Sequence, residues 1–157
     1  MRLVTGHDDT VARWVAVTYD AHMHKPGYAW GVVNKAGQIV GAFVITLEHD
    51  TTAELHLYGV TSNDTWRAMF HHVFTDLGIY RLQIKTARSN RTIRRAAPKF
   101  GFVFEGVERH FFGKGQDALC FYMLPEKCRW LNVVAVQIPE NAGRARSAED
   151  HRGAGQL

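Results

Sequence analysis

Only two cysteines, Cys120 and Cys128, and four prolines occur in 157 residues. With no CxxC pair, neither a disulfide framework nor a zinc-ribbon spacing is available, and the chain suits a reducing cytoplasm. No uninterrupted apolar run approaches the ~20 residues of a membrane helix. Residues 1–6 have no apolar stretch of the kind that marks a signal peptide. The expectation is a soluble, cytoplasmic protein with no membrane partner. Internal repeats are absent. The excess of positive charge is modest, +4 with a pI near 9.3, which fits an anionic ligand or ordinary solubility equally well.

What is present describes a folded chain: 46% hydrophobic and 11% aromatic residues, enough for a single core without metal or disulfide staples. Residues 1–4 suit a short edge strand. Asp8 or Asp9 suits the N-cap of a helix carrying Val11, Trp14, Val15 and Val17 to about Tyr19. Residues 28–34 and 38–47 are β-branched and aromatic, with Gly37 in the turn between them. Glu54-Leu55-His56-Leu57-Tyr58 alternates strictly, as a strand does. Ser62 or Asn63 then suits the cap of a helix with Trp66, Met69, Phe70, Val73 and Leu77 on its apolar face, stopped by Gly78. Residues 80–86 alternate again, and residues 102–112 and 118–124 suit a final hairpin across Gly113-Lys114-Gly115-Gln116. The predicted order β-α-β-β-β-α-β-α-β-β is a mixed α/β (α+β) fold around one twisted sheet. Residues 132–157 carry too little apolar surface for a core and are expected to be a flexible tail after a domain of residues 1–131.

The run Ser89-Asn90-Arg91-Thr92-Ile93-Arg94-Arg95-Ala96-Ala97-Pro98-Lys99-Phe100-Gly101-Phe102 carries the most chemistry. Asn90 opens a short basic helix, Pro98 is expected to shorten it, and Gly101 stops it. Glu105-Gly106-Val107 follows.

This run resembles the signature after the fifth strand of GNAT-type N-acetyltransferases. The resemblance extends over roughly residues 28–131, through Ala53-Glu54, Asn90, Gly101-Phe102, Glu105-Gly106-Val107, Arg109, Gly115, Asp117, Tyr122, Leu124 and Trp130. It is nearest to the branch that acetylates the amino termini of ribosomal proteins and some antibiotics. It implies a mostly antiparallel twisted sheet flanked by helices, acetyl-coenzyme A as cofactor, no metal, and a primary amine as acceptor, on a protein amino terminus or a small molecule. In that family the loop after the fourth strand holds the coenzyme A pyrophosphate. The matching segment here, Gly59-Val60-Thr61-Ser62-Asn63, is shorter and carries one glycine. Asn90 matches the residue that contacts the pantetheine arm, Arg91 and Arg94 suit the cofactor's phosphates, and Ala97 stands where many members carry a tyrosine acid.

Acetyl transfer needs a base for the amine and a donor for the thioester oxygen. Glu54, His56 and Tyr58 share one strand face and are the candidate catalytic residues; a merely solvated polar face is the alternative. Gly59 suits close approach of the pantetheine chain or a plain strand end. Asn90 equally suits a cap that needs no ligand, and the arginines a solvated helix face. The pairs His22/His24 and His71/His72 have no evident third and fourth ligands, so no metal is assigned. Cys120 suits packing. Residues 60–66 also resemble the shortened loop of GNAT-like internal virion proteins of short-tailed phages, which implies a catalytically degenerate structural or binding protein with virion partners. Nucleic-acid binding through the arginine helix ranks last, because no aromatic platform accompanies it.

Overall fold

The computed structural model describes residues 1–131; the expected tail, 132–157, lies outside the described residues. Seven strands and three helices follow the predicted order: β1 (Arg2–Val4), α1 (Asp8–Tyr19), β2 (Gly27–Val33), β3 (Ile39–His49), β4 (Thr52–Gly59), α2 (Asn63–His71), β5 (Arg81–Ala87), α3 (Arg91–Phe100), β6 (Val103–Glu108) and β7 (Ala118–Met123). They form one sheet in the order β1-β2-β3-β4-β5-β7-β6. Every neighbouring pair is antiparallel except β4 and β5.

The period of two along the strands sorts the side chains onto two faces. Trp30, Phe43, Ile45, Leu55 and Leu82 turn toward α2 and α3 and build the main core with Trp66, Met69, Phe70 and Phe102. Ala29, Ala42 and Val44 turn the other way and meet Val11 and Val15 of α1. Trp66 stacks on Phe100 with ring centroids 4.1 Å apart, which ties α2 to the end of α3.

Several local features differ from expectation. His7, not Asp8 or Asp9, is the N-cap of α1. The Asp8 carboxylate instead accepts the Ala29 N–H at 2.8 Å, pinning the helix start to β2. α3 runs through Pro98 and ends at Gly101, whose φ of +102° is left-handed. Pro98 forgoes one bond, to the Arg94 carbonyl, and the helix closes three residues on, where the Gly101 N–H reaches the Ala97 and Pro98 carbonyls. β6 stops at Glu108, well short of Phe112. Asp117 accepts from Arg109 at 2.7 Å and from the His110 N–H at 3.0 Å, and His110 Nδ1 accepts the Gly115 N–H at 2.7 Å. These bonds close residues 109–117 as a side-chain-braced loop. After His71, α2 passes into a π-turn over His72–Asp76 and does not continue regularly to Leu77.

Candidate active site

β4 and β5 pair over only three residues, Thr52–Glu54 against Arg81–Gln83. Beyond them the strands diverge. Leu55–Tyr58 then face Ile84–Thr86 across a cleft of about 170 Å³ that also takes in Trp66, Asn90 and Ile93. Within this gap β4 has no ladder to β5, so peptide groups turned toward it are open to a ligand.

On the α1 face a groove of about 260 Å³ lies over the same strands. Its floor is Val44, Thr46 and Glu48 of β3, Glu54, His56 and Tyr58 of β4, and Lys85 of β5. α1, residues 21–25 and the Phe111-Phe112 pair form the walls. The alternation of β4 is what delivers Glu54, His56 and Tyr58 together.

Glu54 is 7% exposed, and burial raises its pKa, with Lys85 opposing. His56 is pushed down by burial, so the neutral imidazole is favoured. Its Nε2 lies 3.3 Å from Thr46 Oγ1 and 3.8 Å from Glu54 Oε1. Burial also raises the Tyr58 phenol, whose ring packs 5.3 Å from that of Tyr19. A neutral imidazole and a carboxyl with raised pKa are both suited to accepting a proton near neutral pH.

Lys85 escapes the sequence reading, although the alternation of residues 80–86 places it on the polar face. Burial works against its charge, but the hydrogen-bonding and charge of Glu108, 3.0 Å away, together with the Glu54 carboxylate leave its pKa raised. Cys120 is buried, and burial followed by the nearby Glu108 raises its thiol pKa, which suits packing and not nucleophilic attack. Lys25, 2.6 Å from Glu48, closes one side of the groove.

The segment after β4 is closed largely on itself. The Val60 N–H donates to the Val40 carbonyl at 2.9 Å, and Trp66 Nε1 donates to Thr61 Oγ1 at 3.0 Å. Ser62 caps α2 in a reciprocal box with Thr65: the Ser62 N–H donates to Thr65 Oγ1 at 2.9 Å and Thr65 N–H to Ser62 Oγ at 3.4 Å. The amides of Asn63 and Asp64 are the first-turn donors outside this box. Gly59 has φ +67°, and a Cβ there would stand 2.3 Å from the Val40 carbonyl oxygen, so close packing against β3 already accounts for the glycine.

Asn90 does two things at once. Its Oδ1 accepts the Ile93 N–H at 3.2 Å, capping α3, while the residue lines the β4–β5 cleft. Arg91 and Arg94 lie apart from that cleft, in a second depression with Arg88, Ser89 and Asp117, where Arg94 Nη1 donates to the Arg88 carbonyl at 2.9 Å. Ala97 is 2% exposed in the core. No helix among the described residues is long and apolar enough to cross a membrane.

No family model matches the sequence, and no curated protein matches it. Similarity appears in solved structures. A spermidine N-acetyltransferase from Vibrio cholerae is 19% identical with a TM-score of 0.59, covering 74% of this chain and 71% of that one. A GCN5-related N-acetyltransferase from Brucella melitensis is 25% identical with a TM-score of 0.57, over 73% of this chain and 57% of that one. A ribosomal-protein alanine acetyltransferase from Vibrio fischeri is 13% identical with a TM-score of 0.55, over 67% of this chain and 64% of that one. The last two are covered over less than two thirds of their own length. With its mostly antiparallel seven-stranded sheet flanked by helices, the chain has the fold of these GNAT-type N-acetyltransferases.

Proposed function

We propose that the chain is an acetyl-coenzyme A-dependent N-acetyltransferase acting on a primary amine. One observation carries this reading. His56, Tyr58 and Lys85 line both the β4–β5 cleft and the α1-face groove, so two cavities of different character share one wall. A reaction between two substrates needs such a meeting point, with the reacting atoms held near contact.

The residues of the cleft fit a pantetheine arm. Leu57 and Ile93 offer apolar surface, the Asn90 side-chain amide keeps its Nδ2 donors beyond the cap, and the unladdered edge of β4 offers peptide groups. The Asn63 and Asp64 amides remain for a diphosphate at the start of α2. Bound there, acetyl-coenzyme A would supply an activated acetyl group as its thioester. The chain's own residues would prepare the amine. Glu54, or His56 beside it, takes the proton from an incoming ammonium, directly or through a water. Spermidine, other polyamines and peptide amino termini form the natural acceptor panel. Isothermal titration with acetyl-coenzyme A, followed by thiol release on that panel, tests the reading; no heat and no thiol release with any amine would overturn it.

A second reading, a GNAT-fold binding protein without turnover such as an internal virion protein, draws on a different observation. The polar groups of Val60, Thr61 and Ser62 are already engaged within the chain, and Asp64 puts a negative charge where a diphosphate would lie. Recovery of the protein in purified phage particles would support this reading, and robust amine turnover would count against it.

A further inference from the structure

We propose that His71, His72 and Asp76 form a binding site for a borderline divalent transition metal, Zn(II) or Ni(II), at the C-terminal end of α2. Among the described residues this is the one group of three histidine, cysteine or carboxylate side chains whose ligand atoms all lie within 4.8 Å of one another.

The π-turn creates it. In a regular α-helix a residue five positions on is displaced by about 140° around the axis, so Asp76 would point away from His71. Over His72–Asp76 the backbone instead closes i to i+5, with the Leu77 N–H donating to the His72 carbonyl at 2.9 Å. That wider turn keeps Asp76 beneath both histidines. Asp76 Oδ2 is hydrogen-bonded to His72 Nδ1 and lies 3.9 Å from His71 Nδ1. The two imidazole rings stand nearly perpendicular, at 87°, with centroids 6.1 Å apart. Trp30 lies against the His72 ring, 5.5 Å away, and helps fix its orientation.

Tetrahedral zinc with bonds near 2.0–2.1 Å sets its ligand atoms about 3.4 Å apart. The three ligand atoms lie within 4.8 Å of one another, so they must draw somewhat closer around an ion, and all three side chains are exposed enough to turn. Two imidazoles and one carboxylate select Zn, Ni, Cu or Co over Mg and Ca, and water would complete the shell. Each histidine binds as the neutral imidazole: the ion takes His72 Nδ1, the ring proton sits on Nε2, and the Asp76 carboxylate turns from its hydrogen bond to the ion. The site lies on α2, across the sheet from the α1-face groove, and does not depend on the proposed acetyl transfer.

Isothermal titration of the full chain with zinc chloride and with nickel chloride tests this. One saturable equivalent is expected. Asp76→Asn and His71→Gln should each weaken it at least about tenfold. The double variant His22→Gln/His24→Gln should leave it unchanged. All three ligand residues are partly or fully exposed, so the variants should keep the wild-type circular dichroism spectrum. No saturable heat with either ion, undiminished binding in Asp76→Asn, or loss of binding in the His22/His24 variant would overturn the proposal.

Discussion

His56 Nε2 stands 3.8 Å from Glu54 Oε1 on the floor of the groove, and burial drives the two groups in opposite pKa directions that both favour the uncharged form. An ionised Glu54 that takes a proton becomes the neutral form that burial favours, whereas a neutral His56 that does so becomes a cation that burial disfavours, so the carboxylate is the better-placed base. If Glu54 is the base for the amine, Glu54→Gln lowers kcat by about 10²–10⁴-fold and leaves the affinity for acetyl-coenzyme A unchanged. Steady-state thiol release, paired with cofactor titration, separates the two. An unaltered kcat would move the base elsewhere, with His56 the next residue to replace.

The same burial gives a stability signature. Glu54 has a raised pKa in the folded state, so above its ordinary value of 4.5 the folded protein holds a proton that the unfolded chain has lost. Stability therefore falls as pH rises through that window. His56 has the opposite sign: its folded pKa lies below the ordinary 6.5, the unfolded chain protonates first, and stability is lost as pH falls below about 6.5. Glu54→Gln should raise the melting temperature at neutral pH while removing activity. His56→Gln should flatten the acid-side decline. Thermal denaturation between pH 4 and 8 reads both, and a Glu54→Gln protein less stable than wild type at pH 7 would show that the carboxylate is held by a contact stronger than its desolvation.

Asp64 sits in the first turn of α2, loosely paired with Arg67 at 4.0 Å. Its charge favours the helix end by about 0.3–1 kcal/mol and disfavours a diphosphate at the same place. Asp64→Asn should thus tighten coenzyme A binding several-fold while slightly lowering the unfolding free energy. Calorimetry with coenzyme A and with dephosphorylated pantetheine distinguishes the cause, since only the diphosphate-bearing ligand should gain. Equal gains for both would place the effect on the arm and not on the diphosphate.

Ser62→Ala removes the side-chain acceptor of the capping box that closes this turn. Loss of such a cap costs about 1 kcal/mol, readable as a lower midpoint in urea with an unchanged slope. An unchanged midpoint would mean that the Thr65 hydroxyl, which donates to the Ser62 carbonyl at 2.8 Å, holds the turn by itself.

The strands and helices are legible in the sequence because period-two and period-3.6 patterns mark them without help from tertiary contacts. Glu54, His56 and Tyr58 belong together for the same reason, and Asn90 announces α3 by being a good cap. What is not legible depends on contacts across the chain. Asp8 looks like a cap until β2 arrives with the Ala29 N–H. Residues 109–112 of the braced loop read as the end of a strand from their aromatics alone. Thr61 and Ser62 look available to a ligand until Trp66 and Thr65 engage them. Regular helical spacing puts Asp76 beside His72, four positions back, but the π-turn that also brings it to His71 has no residue signature.

Gly59 joins the fold to the site most tightly. It ends β4, pairs with Gly41 in β3, and turns the chain toward α2 at φ +67°. The space a side chain would need is filled by the Val40 carbonyl oxygen at 2.3 Å, the Gly41 Cα at 2.9 Å and the Tyr19 hydroxyl at 3.1 Å. Two of these are backbone atoms of the adjacent strand and cannot swing aside. Gly59→Ala must therefore bear a left-handed backbone, about 1–3 kcal/mol for a non-glycine residue, and also push β4 away from β3. That displacement would shift Tyr58 and His56, the wall common to the cleft and the groove. The variant should unfold at a denaturant concentration lowered by an amount equivalent to ~2 kcal/mol or more. Where it remains folded, cofactor affinity and turnover should fall together. Gly37→Ala is the matched control, because Gly37 also has a positive φ, +80°, but nothing lies within 4 Å of its would-be Cβ. It should show the backbone penalty alone, with binding intact. Equal losses of stability in the two variants would mean that β3 yields to the new methyl group and that the close packing at Gly59 does not set the position of the shared wall.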